Sequence, residues 1–110
     1  MTEKDLGSKH LPMSETAYCI LLALCGEQHG YGVMQRVEQM TGGRIRLGAG
    51  TVYGTLQKLE REKLIEATRE EERRKYYRIS RRGRTLLGLE LVRLEELVAH
   101  GQNILGGGKA

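Results

Sequence analysis

The chain has 110 residues, room for one domain or one domain plus an extra helix, and too few for a buried catalytic cleft beside a separate regulatory domain. Apolar residues make up 39% of it, but with no Phe or Trp and five Tyr the core has to be built from Leu, Ile, Val and Met. The net charge of +4 is concentrated, because residues 69–84 hold eight basic and three acidic side chains. A local basic patch of this kind is what a polyphosphate partner requires.

The longest apolar run, residues 17–25, has nine residues. That is far short of the roughly 20 a membrane-spanning helix needs. No basic segment followed by an apolar stretch opens the chain, so no signal peptide is expected and the location is read as cytoplasmic. Cys19 and Cys25 fall on different faces of a predicted helix, too far apart for a bridge, and read as small buried hydrophobes. His10, His29 and His100 do not cluster at ligand spacing, so neither a metal nor a cofactor is expected.

In chain order, residues 1–12 are polar and aperiodic and read as a mobile arm ending at the single proline, Pro12. Ser14 is a good N-cap, and from there to Cys25 the segment is apolar almost all round, which predicts a central, buried helix. Residues 30–41 form a second helix on the spacing of Val33, Val37 and Met40, stopped by Gly42 and Gly43. His29, just ahead of it, is read as ordering the turn into that helix. Residues 44–47 alternate polar and apolar, the pattern of a short half-buried strand.

Residues 51–63 form the best-defined helix, with Val52, Leu56 and Leu59 as its inward stripe. Thr51, Gly54, Gln57, Lys58 and Arg61 fall on the opposite face. Two strands, 66–69 and 75–79, then flank a charged tip at 70–74. Tyr76 and Tyr77 alternate in the second strand, one inward and one outward. Ser80 caps a long final helix over about residues 81–103, and residues 106–110 read as a flexible tail. Leu87, Leu91, Leu94, Val98, Gly101 and Leu105 recur at steps of four and three, a coiled-coil seam that predicts a homodimer.

The fold class is therefore mainly α with a small β-hairpin wing: a winged helix-turn-helix over residues 13–80 and a dimerisation helix over 81–105. The helix at 51–63 would enter a major groove about 12 Å wide. Gly54 would permit close backbone approach, and Gly50 opens a helix N-terminus whose N–H groups can meet a phosphate. Lys58 and Arg61 are expected on phosphates, with Thr51, Thr55 or Gln57 on bases. Arg73, Arg74 or Lys75 would contact DNA from the wing, while Glu70, Glu71 and Glu72 should point to solvent or pair with Arg73 and Arg74. Tyr53, at the flank, either bonds a phosphate or packs on the preceding helix.

Five stretches, in order, carry a resemblance: Leu11-Pro-Met-Ser14, His29-Gly-Tyr-Gly32, Gly50-Thr-Val-Tyr-Gly-Thr-Leu56, Leu59-Glu-Arg-Glu-Lys-Leu-Ile65 and Arg73-Arg-Lys-Tyr-Tyr-Arg-Ile79. Together they resemble the PadR family of transcriptional regulators, in its short form, over about residues 13–105. The resemblance implies a bacterial homodimeric repressor, with Tyr31 and residues 50–58 at the DNA face and the last helix at the dimer interface. It also implies a small apolar effector in some members. Members that stack flat aromatics between subunits use a tryptophan in the last helix, which this chain lacks. Two-fold symmetry would require a palindromic operator with half-sites about 10 base pairs apart or a multiple of that. The alternative from another class is a winged-helix protein-interaction adaptor. No catalytic constellation is present in the sequence, so an enzyme is not expected.

Overall fold

The computed structural model describes residues 2–106. Its elements run α1 (Glu3–His10), α2 (Glu15–Ala23), β1 (Gln28–His29), α3 (Gly30–Met40), α4 (Ala49–Arg61), β2 (Ile65–Glu71), β3 (Arg74–Ile79) and α5 (Arg81–Gly101), with a π-wound turn at Gln102–Gly106. The strands form one antiparallel sheet in the order β1-β3-β2. This is a winged helix followed by a long helix. Residues 107–110, most of the expected tail, lie outside the described residues.

The core is aliphatic. Ile20, Leu21 and Leu24 from the α2 segment, Val33 and Val37 from α3, and Val52 and Leu56 from α4 are all fully buried. Each such side chain contributes about 1.5–3 kcal/mol by leaving water. Leu64 and Ile65 at the start of the wing and Leu86 of α5 close the same cluster. Ser14 caps α2 as its sequence indicates, its side chain accepting the Ala17 N–H at 3.1 Å.

Two local expectations are corrected. Residues 3–10 form a helix where an aperiodic arm was read, because Thr2 and Asp5 cap each other reciprocally and Leu6 is buried against the core. The Thr2-x-x-Asp5 pattern was the available signal; a single apolar residue gives no period. Residues 44–47 do not form a strand. Their burial alternates as the sequence predicts, but the Ile45 N–H goes to Thr41 Oγ1 at 3.0 Å and no strand edge lies beside them. The third strand is instead the two-residue β1, with Gln28 opposite Tyr77 and His29 opposite Tyr76.

Two junctions hold the wing and α5 in place. Ser80 donates its hydroxyl to the Lys63 carbonyl at 2.8 Å and accepts the Gly83 N–H at 3.0 Å, and its own N–H reaches the Leu64 carbonyl at 3.0 Å. Farther along α5, the buried Glu90 carboxylate accepts the Met13 N–H at 3.0 Å and pairs with Arg93 at 2.5 Å. That carboxylate therefore fastens the α1–α2 connection to α5. Arg93 foremost, aided by the Met13 N–H, holds the Glu90 carboxyl below its ordinary range despite burial.

Both junctions can be tested by urea unfolding. A Cβ at Gly83 would stand 2.2 Å from the Leu64 carbonyl oxygen, so Gly83→Ala should destabilise by about 2–3 kcal/mol. Glu90→Gln should cost about 1–2 kcal/mol at neutral pH by leaving Arg93 without its charge partner. Because the folded-state pKa is depressed, the Glu90 contribution is present above the unfolded carboxylate value. It is lost as pH falls through the folded one, so the gap between variant and wild type should close in acid.

Candidate nucleic-acid interface

Helix α4 divides cleanly into two faces. Val52, Leu56 and Leu59 are buried, whereas Gly50, Thr51, Tyr53, Gly54, Gln57, Lys58 and Arg61 are exposed. Thr55 departs from expectation: it is half-buried and lines a cleft beside Met13 and Leu86, off the outer face. The helix begins at Ala49, two residues before the sequence-based start, which puts Gly50 inside its first turn. Its N-cap, Gly48, provides no side-chain hydrogen bond, so the first-turn N–H groups stay available to an outside acceptor. Around Gly48, Gly50 and Gly54 there is open space where a Cβ would sit. Lys58 and Arg61 make no ion pair among the described residues.

The wing is a hairpin whose tip is Glu72-Arg73, shorter than the five-residue tip read from the charges. Both residues are left-handed, at φ of 54° and 65°, as a two-residue turn matching the strand twist requires. Side chains other than glycine occupy that region at a cost, which places strain at the tip. Glu70, Glu71 and Glu72 are all exposed, as expected, and only the partner of Glu71 differs from the expected set. Glu71 pairs with Arg69 at 2.5 Å, and Arg69 also binds Glu27 at 3.0 Å while its guanidinium stacks 3.8 Å above the Tyr76 ring. These two carboxylates raise the Arg69 pKa well above its usual value. Lys75 is drawn to Glu60 of α4 at 3.6 Å, tying wing to helix and leaving it less available than the sequence indicated.

Between the wing and the start of α3 lies a cleft of about 210 Å³ lined by Tyr31, Tyr53, Arg73, Arg74, Tyr77 and His29. The two readings of Tyr53 merge here: its ring lies against Gly30, where a Cβ would stand 2.6 Å from it, yet it is half-exposed. Tyr77 is the inward one of the pair, whereas Tyr76 is half-buried rather than fully exposed because the Arg69 guanidinium covers its ring. His29 caps α3 through Nδ1, which accepts the Gly32 N–H at 3.1 Å, so it orders that turn as expected. Sequence reasoning missed its second role as part of the cleft, where Nε2 is 3.2 Å from Arg74 Nη1. Partial burial first, then Arg74 and Arg69, push the His29 pKa down, which favours the neutral ring.

The expected dimer seam divides. Leu87 is buried in the chain's own core and Leu94 is half-buried, while Leu91, Val98 and Leu105 are exposed. Val92, Leu97 and Ile104 add exposed apolar surface that the seam did not include. Leu87 turns inward because the first half of α5 still lies over the body of the domain. Cys19 and Cys25 are free thiols. Among the described residues, no group of His, Cys, Asp or Glu could hold a metal ion, and no helix is long and apolar enough to cross a membrane.

A helix with one closed and one open face, preceded by a second helix and followed by a basic hairpin, defines a winged helix-turn-helix. Residues 20–89 match the model of the transcriptional regulator PadR-like family. The chain belongs to that family. A Bacillus cereus PadR-like transcriptional regulator of known structure superposes with a TM-score of 0.69 at 24% identity, covering 94% of this chain and 99% of that one. An uncharacterized protein X of Lysinibacillus sphaericus is 30% identical over 97 residues, 84% of each chain. A 37.1 kDa protein in a transposon of Streptomyces fradiae is 36% identical over 74 residues, 64% of this chain. The match spans 21% of that longer relative.

Proposed function

We propose that this chain is a sequence-specific DNA-binding repressor acting as a homodimer on a palindromic operator. The observation that carries the reading is the open face of α4, where small and polar residues surround Gly50 and Gly54 and nothing occupies the space above them. Such a face fits a major groove, since the absence of side-chain bulk lets the helix axis approach the base edges. Thr51 and Gln57 are the candidate base readers. Lys58, Arg61 and the Arg73-Arg74 pair are the candidate phosphate contacts, and Tyr31 and Tyr53 border the cleft between them. Membership of a transcriptional-regulator family supports the same reading. A cytoplasmic location follows from the DNA partner.

The second half of α5 supports the dimer. Its exposed Leu91, Leu97 and Val98 continue the side of the helix that Leu86, Leu87 and Glu90 bury farther back, and Ile104 and Leu105 of the π-wound turn add exposed apolar surface beyond it. Leu91, the half-buried Leu94 and Val98 stand three and four apart, a spacing that suits a second copy of the same helix. A cavity of about 460 Å³ opens beside it, with Tyr18, Leu22, Met40 and Leu94 as its apolar wall and Glu15, Arg44 and Glu90 at its margin, room for a small, mainly apolar effector.

Gly54→Ala separates stability from binding. Alanine is favoured over glycine inside a helix by about 0.5–1 kcal/mol, so thermal stability should rise while operator affinity falls. Lys58→Ala should weaken binding to all sequences alike and reduce the salt slope by about one; an unchanged slope would remove Lys58 from the interface. In sedimentation, Leu91→Asp with Val98→Asp should give a folded monomer with weaker operator binding. A persistent dimer would reject this role for α5.

A further inference from the structure

The hydrogen bonding of His29 contains a conflict that a shared acceptor would resolve. Because Nδ1 accepts the Gly32 N–H, that nitrogen carries no proton, and a neutral ring must then bear its hydrogen on Nε2. Nε2 faces Arg74 Nη1 at 3.2 Å, and a guanidinium has donors alone. The opposite tautomer moves the clash to the Gly32 N–H, whose direction the helix backbone fixes. Two donors therefore meet in the same space.

The imidazole is held in place, so relief of the conflict falls to the exposed Arg74 or to an acceptor that both donors share. The His29 backbone is paired with Tyr76 in the sheet, and its ring stands edge-on to the Tyr76 ring with centroids 5.1 Å apart. The charged groups facing the imidazole are Arg74 on β3 and Arg69 on β2, both cations. Glu27 and Glu71 are engaged by Arg69 and Glu60 by Lys75, while Glu70 and Glu72 of the wing are exposed to solvent. No carboxylate is among the residues lining the cleft.

We propose that His29 Nε2–H and Arg74 form a two-donor clamp for one oxygen of a phosphate in the DNA backbone, at the junction of the wing and the α3 N-terminus. An anionic oxygen in this position accepts from both donors and removes the conflict. The clamp rests on the DNA-binding reading above and extends it to a residue whose visible task is helix capping. Free inorganic phosphate has the same chemistry; the backbone is favoured because the cleft opens between Tyr53 of α4 and the wing, the two elements that would flank a bound duplex.

The test uses the full chain and a 30-base-pair duplex of mixed sequence at low salt, where backbone contacts hold the complex. His29→Asn retains a side-chain acceptor for the Gly32 N–H but is too short to share an oxygen with Arg74. Its melting temperature should stay near wild type while duplex affinity falls about five-fold, the loss of one hydrogen bond. In an Arg74→Gln background the same change should cost less than about two-fold, because the shared oxygen is already released. In the wild type, NMR titration should show the His29 pKa rising by about one unit on adding duplex, an effect that capping alone would not produce.

Wild-type affinity for His29→Asn, full additivity in the double variant, or an unmoved pKa would overturn the clamp while leaving DNA binding intact. The same pKa rise with inorganic phosphate at matched ionic strength would assign the cleft to a free anion and overturn it too. A wild type that binds no duplex would overturn the DNA-binding reading itself, and the clamp with it.

Discussion

The carbonyl end of α2 is the point at which the fold is joined. A helix C-terminus leaves backbone oxygens without partners, and burial makes that costly unless other elements supply donors. Here three elements do. Arg36 of α3 reaches the Ala23 carbonyl at 2.8 Å, the Ile79 N–H of β3 reaches the Leu24 carbonyl at 2.8 Å, and Arg84 of α5 reaches the Cys25 carbonyl at 3.3 Å. The two guanidinium groups also lie at the negative end of the helix dipole, where a cation is favoured. With Ile20, Leu21 and Ala23 of α2 buried in the core, these bonds set α3, the wing and the long helix around one fixed end, and α4 closes over the result.

That arrangement explains why the outer surface of α4 can be so bare. Helix-interior glycine and an uncapped N-terminus both reduce the stability of a helix standing alone. In α4 they are tolerated because Val52, Leu56 and Leu59 are anchored in the common core and Ser80 locks the chain just beyond the helix. The cost is carried by packing on one face, and the other face keeps the shape that a groove demands.

Charge in the wing is sorted by the sheet. Arg69 collects Glu27 and Glu71 on one side and Lys75 turns toward Glu60, and no carboxylate lines the cleft. Arg73 and Arg74 remain beside Tyr31 and Tyr53. A segment that reads as a mixed-sign tip thus presents mostly positive charge where the wing meets the helices.

Much of this was legible from the residues. The apolar run of α2, the two faces of α4, the hairpin and the long α5 follow from periodicity and capping, which are local properties of the chain. Gly42 and Gly43 end α3 with φ of 61° and 83°, a conformation that those residues alone announce. The tertiary structure decided whatever depends on a neighbour distant in sequence. Residues 44–47 had the alternation of a strand but no edge to join, and β1 exists because β3 passes beside it. Leu87 left the exposed seam because the body of the domain lies under the first half of α5, and the acids of the wing found partners that spacing could not name. Local pattern determined which faces are apolar; which surface or charge each face meets was determined by the packing.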